Sequence, residues 1–159
     1  MTFHLRDFDR ATDTSAALSF IHGSQLYEQA FEPNRRLDPA VADEYFAVLM
    51  DEVGKNEGRV IVAEAEAHAI GWAAFVVLQD PLFVIAEQRR CGYIAELFVD
   101  EGARGGGVGR ALIEACEDEA RRRGLGHIKI GLLTANARAA EIYARAGYSP
   151  YHSELRKYL

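Results

Sequence analysis

The sequence predicts an α/β domain built on a mixed β-sheet flanked by helices, and three observations carry that prediction. An apolar hairpin occupies the middle of the chain, strand and helix alternate in the second half, and a glycine-rich turn joins a strand to an amphipathic helix. The 159 residues read as one domain spanning 1–159, long enough to bury a core without disulfide or metal staples. A chain of roughly 150 residues hides about 68–70% of its unfolded surface.

In chain order, Phe3 and Leu5 alternate with polar neighbours as a short first strand. Thr12, Asp13, Thr14 and Ser15 offer caps for a helix over Ser15–Tyr27. Asp38-Pro39 opens a second helix, in which Val41, Tyr45, Val48, Leu49 and Met50 recur at helical spacing up to Gly54. A loop at Glu32–Arg36 separates the two. From Gly58 the period shortens, because Val60–Ala63 and Ile70–Leu78 are rich in β-formers and make a hairpin around Glu64–Ala69. After Pro81 and the polar run Glu87–Arg90, Cys91–Val99 is the next strand. Strict alternation puts Tyr93, Ala95, Leu97 and Val99 on one of its faces and Ile94, Glu96 and Phe98 on the other. Val108, Ala111, Leu112, Ala115 and Cys116 mark an amphipathic helix closed by Arg121–Arg123 and Gly124. His127–Leu133 is a further strand, Ala137–Ala146 a short helix ended by Gly147, and Tyr151–Leu159 a returning final strand.

Composition narrows the function classes. Hydrophobic residues at 49% and charged residues at 26% are the proportions of a folded chain and exclude disorder and low complexity. A net charge of −6 repels a phosphate backbone, so nucleic acid is not an expected partner. No apolar run approaches the ~20 residues of a membrane span, and the first residues lack the apolar stretch of a signal peptide. Cys91 and Cys116 show no CxxC spacing, which fits a reducing cytoplasm and no disulfide framework. His4, His22, His68, His127 and His152 are scattered without metal-ligand spacing, and no metal is expected.

The turn Gly102-Ala103-Arg104-Gly105-Gly106-Gly107-Val108-Gly109-Arg110 follows a strand and opens a helix. Glycines there let a ligand approach the backbone, and the first free N–H groups of the helix carry partial positive charge suited to phosphate. A P-loop would require Gly-Lys-Ser/Thr, whereas Gly109-Arg110-Ala111 has neither the lysine nor the hydroxyl. The dinucleotide fingerprint also fails, since its last glycine falls on Arg110 or Leu112.

Arg104-x-x-Gly107-x-Gly109 after a strand resembles the pyrophosphate loop of the GNAT superfamily of N-acetyltransferases. Asn136-Ala137-Arg138-Ala139-Ala140-Glu141-Ile142-Tyr143, followed by Gly147-Tyr148, resembles a later motif of the same family. The resemblance covers about residues 91 to 151. It implies a GNAT-like fold, with two splayed parallel strands, Cys91–Val99 and His127–Leu133, and acetyl-CoA as co-substrate between them. The strand–helix–strand order independently favours parallel pairing. Further implications are that backbone groups of Leu97, Phe98 and Val99 pair with pantetheine amides, and that Arg104, Gly105, Gly106, Gly107, Val108, Gly109 and Arg110 surround the pyrophosphate. Asn136 and Tyr143 would approach the pantetheine arm, and Tyr143 the sulfur.

Acetyl transfer needs a deprotonated amine, a polarised thioester and a proton for the departing thiolate. Glu96 is the candidate base, with a solvent-facing carboxylate as the competing reading. Tyr143, placed by the motif, is the candidate acid, against a core tyrosine in a stripe with Ala139, Ile142 and Ala146. Cys116 lies on an apolar stripe and Cys91 has no neighbouring histidine, so both read as packing and transfer as direct. Arg121–Arg123 complement a helix end, or else meet the CoA ribose phosphate. Asp100 and Glu101 precede the loop and are expected to point outward, offset by Arg104 and Arg110. The expected function is N-acetylation of a primary amine on a small molecule or peptide. A silent acyl-CoA-binding domain and a nucleotide-phosphate module are the other classes, and a homodimer stays open. The acceptor pocket is expected from the N-terminal helices and the loops Phe31–Arg36 and Pro81–Arg90.

Overall fold

The computed structural model describes residues 2–159. Five strands, β1 His4–Asp7, β2 Arg59–Ala65, β3 His68–Gln79, β4 Arg90–Val99 and β5 Ile128–Ile130, form one sheet in the order β1-β2-β3-β4-β5. Neighbours are antiparallel except β4 and β5, which are parallel because helix α3, Val108–Arg122, carries the chain back between them. Helices α1, Arg10–Gln29, and α2, Ala40–Lys55, pack against one face of the sheet, α3 against the other, and α4, Ala137–Arg145, follows β5.

The two-residue period of the central strands supplies both cores. Ile61, Ala63, Ala73, Phe75 and Val77 join Val108, Leu112, Ile113 and Cys116 of α3, whereas Val60, Trp72 and Ala74 join Ala17, Phe20 and Ile21 of α1 and Phe46 and Leu49 of α2. Buried on both faces, β3 therefore reads as a continuous apolar run. Between β2 and β3 the turn is shorter than the sequence suggests. Glu66 and Ala67 both take positive φ, 51° and 61°, and close a two-residue hairpin whose twist matches its strands.

Helix α1 starts five residues earlier than its cap-like run suggests. The Asp9 carboxylate accepts from the Ala11 amide at 2.8 Å and caps it, while Asp13 turns inward, only 4% exposed, and accepts two of the guanidinium hydrogen bonds of Arg6, at 2.6 and 2.8 Å. On α2 the buried face is Ala42, Phe46 and Leu49, and Val48 points to solvent.

Two strand expectations fail at the carboxyl end. Strand β5 stops at Ile130 rather than Leu133, and 149–159 forms no strand. In an extended tail Tyr151, Leu155 and Leu159 would share a face with Ser153 and Lys157, too thin an apolar stripe to offset ordering the backbone. Tyr151, Leu155 and Leu159 are all exposed.

Strand β4 breaks strict alternation. Ala74 pairs with Glu96 but Phe75 pairs with Ile94, so Ala95 is an extra residue, a β-bulge. Ile94 consequently faces the α3 core with Leu97 and Val99, while Ala95 and Phe98 face α1 and α2. The expected grouping of Ala95 with Leu97 and Val99, and of Ile94 with Phe98, is overturned by this one residue. Because β5 pairs only with Gly92, Tyr93 and Ile94, the stretch from Ala95 to Val99 lacks a neighbour on that side and the parallel strands part.

Candidate active site

Where β4 leaves β5, a cleft of about 340 Å³ opens between Leu97–Val99, the start of α3 and the start of α4. A single 3-10 turn, Glu101–Ala103, leads from β4 into the glycine run, and Ala103 and Val108, both buried, anchor it to the core. Gly105 and Gly107 adopt φ of +80° and +87°, and a Cβ on either would meet only open space. Backbone conformation, not crowding, therefore demands glycine there. No side chain caps α3 at Gly107, so the first-turn amides of Val108, Gly109 and Arg110 have neither an intrahelical acceptor nor a capping oxygen. Such an uncapped, positively polarised helix end beside open space fits a diphosphate.

Leu97, Phe98, Val99, Arg104, Gly105, Gly107, Gly109, Arg110, Asn136 and Tyr143 all line this cleft. Gly106 lies on the exposed outside of the loop, and Val108 is part of its core anchor. The Arg104 guanidinium lies over the rings of Tyr27 and Phe98, 5.2 and 5.6 Å from their centroids, and its Nε donates to the Val99 carbonyl at 3.0 Å. Arg110 pairs with Glu114 at 2.7 Å rather than offsetting Asp100 or Glu101. Asp100 is partly buried instead of pointing freely outward; burial raises its pKa and the nearby Arg104 charge opposes the rise.

The bulge turns Glu96 towards α1 and α2, one residue before the lining segment. Burial pushes its carboxyl up to about 7, the Tyr45 and Ser24 hydroxyls pull the other way, and the negative charge of Glu28 adds to the rise. Tyr143 is pushed up to about 12, first by burial and then by the charges of Glu96 and Glu28; Tyr143 and Glu28 line the cleft, whereas Glu96 does not. Asn136 caps α4, accepting from the Ala139 amide at 3.1 Å, and so orients the helix that carries Tyr143 two turns on. Tyr143 also packs towards Tyr148, ring centroids 6.1 Å apart.

Sequence reading missed Ser24, Tyr27, Glu28 and Tyr45. Ser24 and Glu28 stand at helical i, i+4 spacing, but nothing local says that this face of α1 crosses the end of β4.

Elsewhere the residues are occupied. Cys91 and Cys116 are fully buried, and burial raises both thiols, Cys116 to about 12. Asp80, Cys91 and His127, from three adjacent strand ends, bring one potential ligand atom each within 4.8 Å of one another, a grouping that residue spacing did not reveal. The Lys129 ammonium lies 2.5 and 2.7 Å from the two Asp80 oxygens and already supplies a cation there. Arg121, Arg122 and Arg123 pair with Glu117, Asp118 and Glu119 in the last turns of α3. Among the described residues no helix is long and apolar enough to cross a membrane.

The site is thus a mixed sheet whose parallel strands part beside an uncapped helix N-terminus. The model of the acetyltransferase (GNAT) family matches residues 23–148, and the chain belongs to that family. A mycothiol acetyltransferase of Beutenbergia cavernae is 41% identical over 59 residues, 37% of this chain and 20% of that protein. An uncharacterized N-acetyltransferase of Methanocaldococcus jannaschii is 32% identical over 104 residues, 65% of this chain and 43% of that protein. The chain thus spans less than half of the length of either relative. A Clostridium acetobutylicum protein, described as a predicted acetyltransferase and solved with acetyl-CoA, shares the fold at a TM-score of 0.73 and 22% identity, covering 99% of this chain and 96% of that one.

Proposed function

We propose that the protein transfers the acetyl group of acetyl-CoA directly to a primary amine of a small molecule or peptide, in the cytoplasm. One observation carries the reading: Leu97–Val99, the glycine loop opening α3 and Tyr143 line a single cleft where β4 loses its partner, with Glu96 next in sequence to that lining at the bulge. Acetyl-CoA supplies an activated acyl group. The amides opening α3 hold its diphosphate, and the free backbone of Leu97, Phe98 and Val99 pairs with its arm as a strand would. Glu96, with its carboxyl raised to about 7, takes a proton from the incoming ammonium near neutral pH. As the amine nitrogen bonds to the thioester carbon and the C–S bond breaks, Tyr143, kept protonated by burial, gives its proton to the departing sulfur and is reprotonated by the second proton the nitrogen sheds in becoming the amide, while Glu96 releases its own to solvent. Buried and raised, Cys91 and Cys116 are unsuited to carry the acyl group.

A net charge of −6 favours acceptors that arrive as cations, although Glu28 at the cleft is already paired with Arg35 at 2.7 Å. The test is incubation with acetyl-CoA and a panel of primary amines, following free thiol and the mass of the N-acetyl product. Thiol and product in equal amounts support the reading. Binding of acetyl-CoA without thiol release above hydrolysis, across the whole panel, would instead make the chain a silent acyl-CoA-binding domain.

A further inference from the structure

Arg104 stands where a phosphate ligand is expected, yet its side chain is spent on protein. Its guanidinium lies over the rings of both Tyr27 of α1 and Phe98 of β4, with Nε donating to the Val99 carbonyl. The stack continues outward, because Tyr27 meets Phe31 edge-on at 5.3 Å, at the start of the loop between α1 and α2. It also continues inward, because Phe98 packs on Phe20 at 5.7 Å and lies so close to α1 that a Cβ on Gly23 would come within 2.7 Å of its ring. One continuous column, Phe31–Tyr27–Arg104–Phe98–Phe20, therefore joins the glycine loop to the last turns of α1. Those turns carry Ser24 and Glu28, which line the cleft with Tyr27.

We propose that Arg104 is a positioning residue that couples the coenzyme loop to the acceptor wall, residues 24–36, rather than a ligand of the diphosphate. The inference rests on the acetyltransferase reading for what the two walls bind. Backbone amides suffice for the phosphates, whereas only a flat, weakly hydrated cation lies over two aromatic rings while donating to a carbonyl. Ordering of Arg104 with the loop on coenzyme binding then orders Tyr27, and with it the carboxylate-bearing end of α1.

Hydrogen–deuterium exchange of the full chain tests this without needing the acceptor. Wild type, Arg104→Ala, Arg104→Lys and Tyr27→Leu are compared with and without acetyl-CoA, alongside calorimetric Kd and melting temperature. In wild type, acetyl-CoA should protect residues 24–36 as well as 105–110. Arg104→Ala should keep Kd within about threefold and keep protection of 105–110. It should lose protection of 24–36, whose basal exchange rises about 5- to 30-fold, the loss of two cation–π contacts. Tyr27→Leu should reproduce the effect, the double variant should add little, and Arg104→Lys should restore part of the protection. A Kd weakened more than tenfold in Arg104→Ala but unchanged in Tyr27→Leu would make Arg104 a phosphate ligand and overturn the proposal. Unaltered exchange of 24–36 in either single variant, with or without acetyl-CoA, would overturn it as well. Wild type that fails to bind acetyl-CoA would sink the acetyltransferase reading, and the basal exchange of Arg104→Ala would still judge the strut.

Discussion

The two ends of the cleft are built on opposite principles. At the coenzyme end the functional groups are backbone: glycines at positive φ, uncapped amides of α3 and an unpaired edge of β4, all within one continuous segment from Leu97 to Arg110. At the end proposed to take the acceptor they are side chains, Ser24 and Glu28 from α1 and Tyr143 from α4, which line the cleft with Glu96 of β4 just before its lining segment, brought together only by the fold. The first end can bind without specifying chemistry. The second can specify chemistry only if the whole chain is folded around it.

If this division holds, variants at the two ends should fail differently. The largest effect is expected from Gly107→Glu, which forces an L side chain to φ +87° and puts a negative charge where phosphate approaches. It should abolish the thermal shift that acetyl-CoA produces. That shift corresponds to about 2.7 kcal/mol at a hundred times Kd in wild type, and a shift retained in the variant would place the phosphates elsewhere. Tyr143→Phe comes next, since it removes only a hydroxyl from a packed ring. It should lower kcat about 10²- to 10⁴-fold with acetyl-CoA affinity intact, and an undiminished kcat would return Tyr143 to the core.

A smaller effect concerns stability. The Glu96 carboxyl is near 7 in the fold against an ordinary 4.5, so between those values the folded chain holds a proton that the unfolded chain has released. Stability attributable to Glu96 is therefore greatest below 4.5, falls as pH rises to 7 and is flat above. Glu96→Gln should remove that fall. Above pH 7 the variant should be more stable than wild type by on the order of 1–3 kcal/mol, a Tm gain of about 2–4 °C per kcal/mol. Parallel melting profiles from pH 5 to 8 would show that Glu96 is not strained by burial.

The same contrast explains what could be read from the sequence. The glycine run declares a backbone requirement at the place where it acts, so the coenzyme loop and α3 were legible from residues 99–124 alone. Tyr143 was legible through its motif, which is also local. Glu96 is legible on its strand, but the surroundings that raise its carboxyl are not, because the extra residue at Ala95 leaves no mark in a run of strand-forming residues. Tyr45 packs on the α1–α2 core as its place in the apolar helix stripe implies, but nothing in that stripe says that its hydroxyl reaches the Glu96 carboxyl. The tail was misread because extended propensity alone does not make a strand without an apolar face to bury.

The account stands most directly on the pH dependence of kcat/KM for wild type and Glu96→Gln, measured with the best acceptor from the amine panel and paired with acetyl-CoA Kd. Wild type should gain activity through pH about 7 as Glu96 ionises. The Gln variant should lack that limb, should be slowest relative to wild type between pH 7 and the pKa of the amine, about 10.4 for a lysine-like group, and should bind acetyl-CoA as wild type does. Superimposable profiles would remove Glu96 from proton transfer. A variant that loses acetyl-CoA binding in step with rate would contradict the division between the two ends of the cleft.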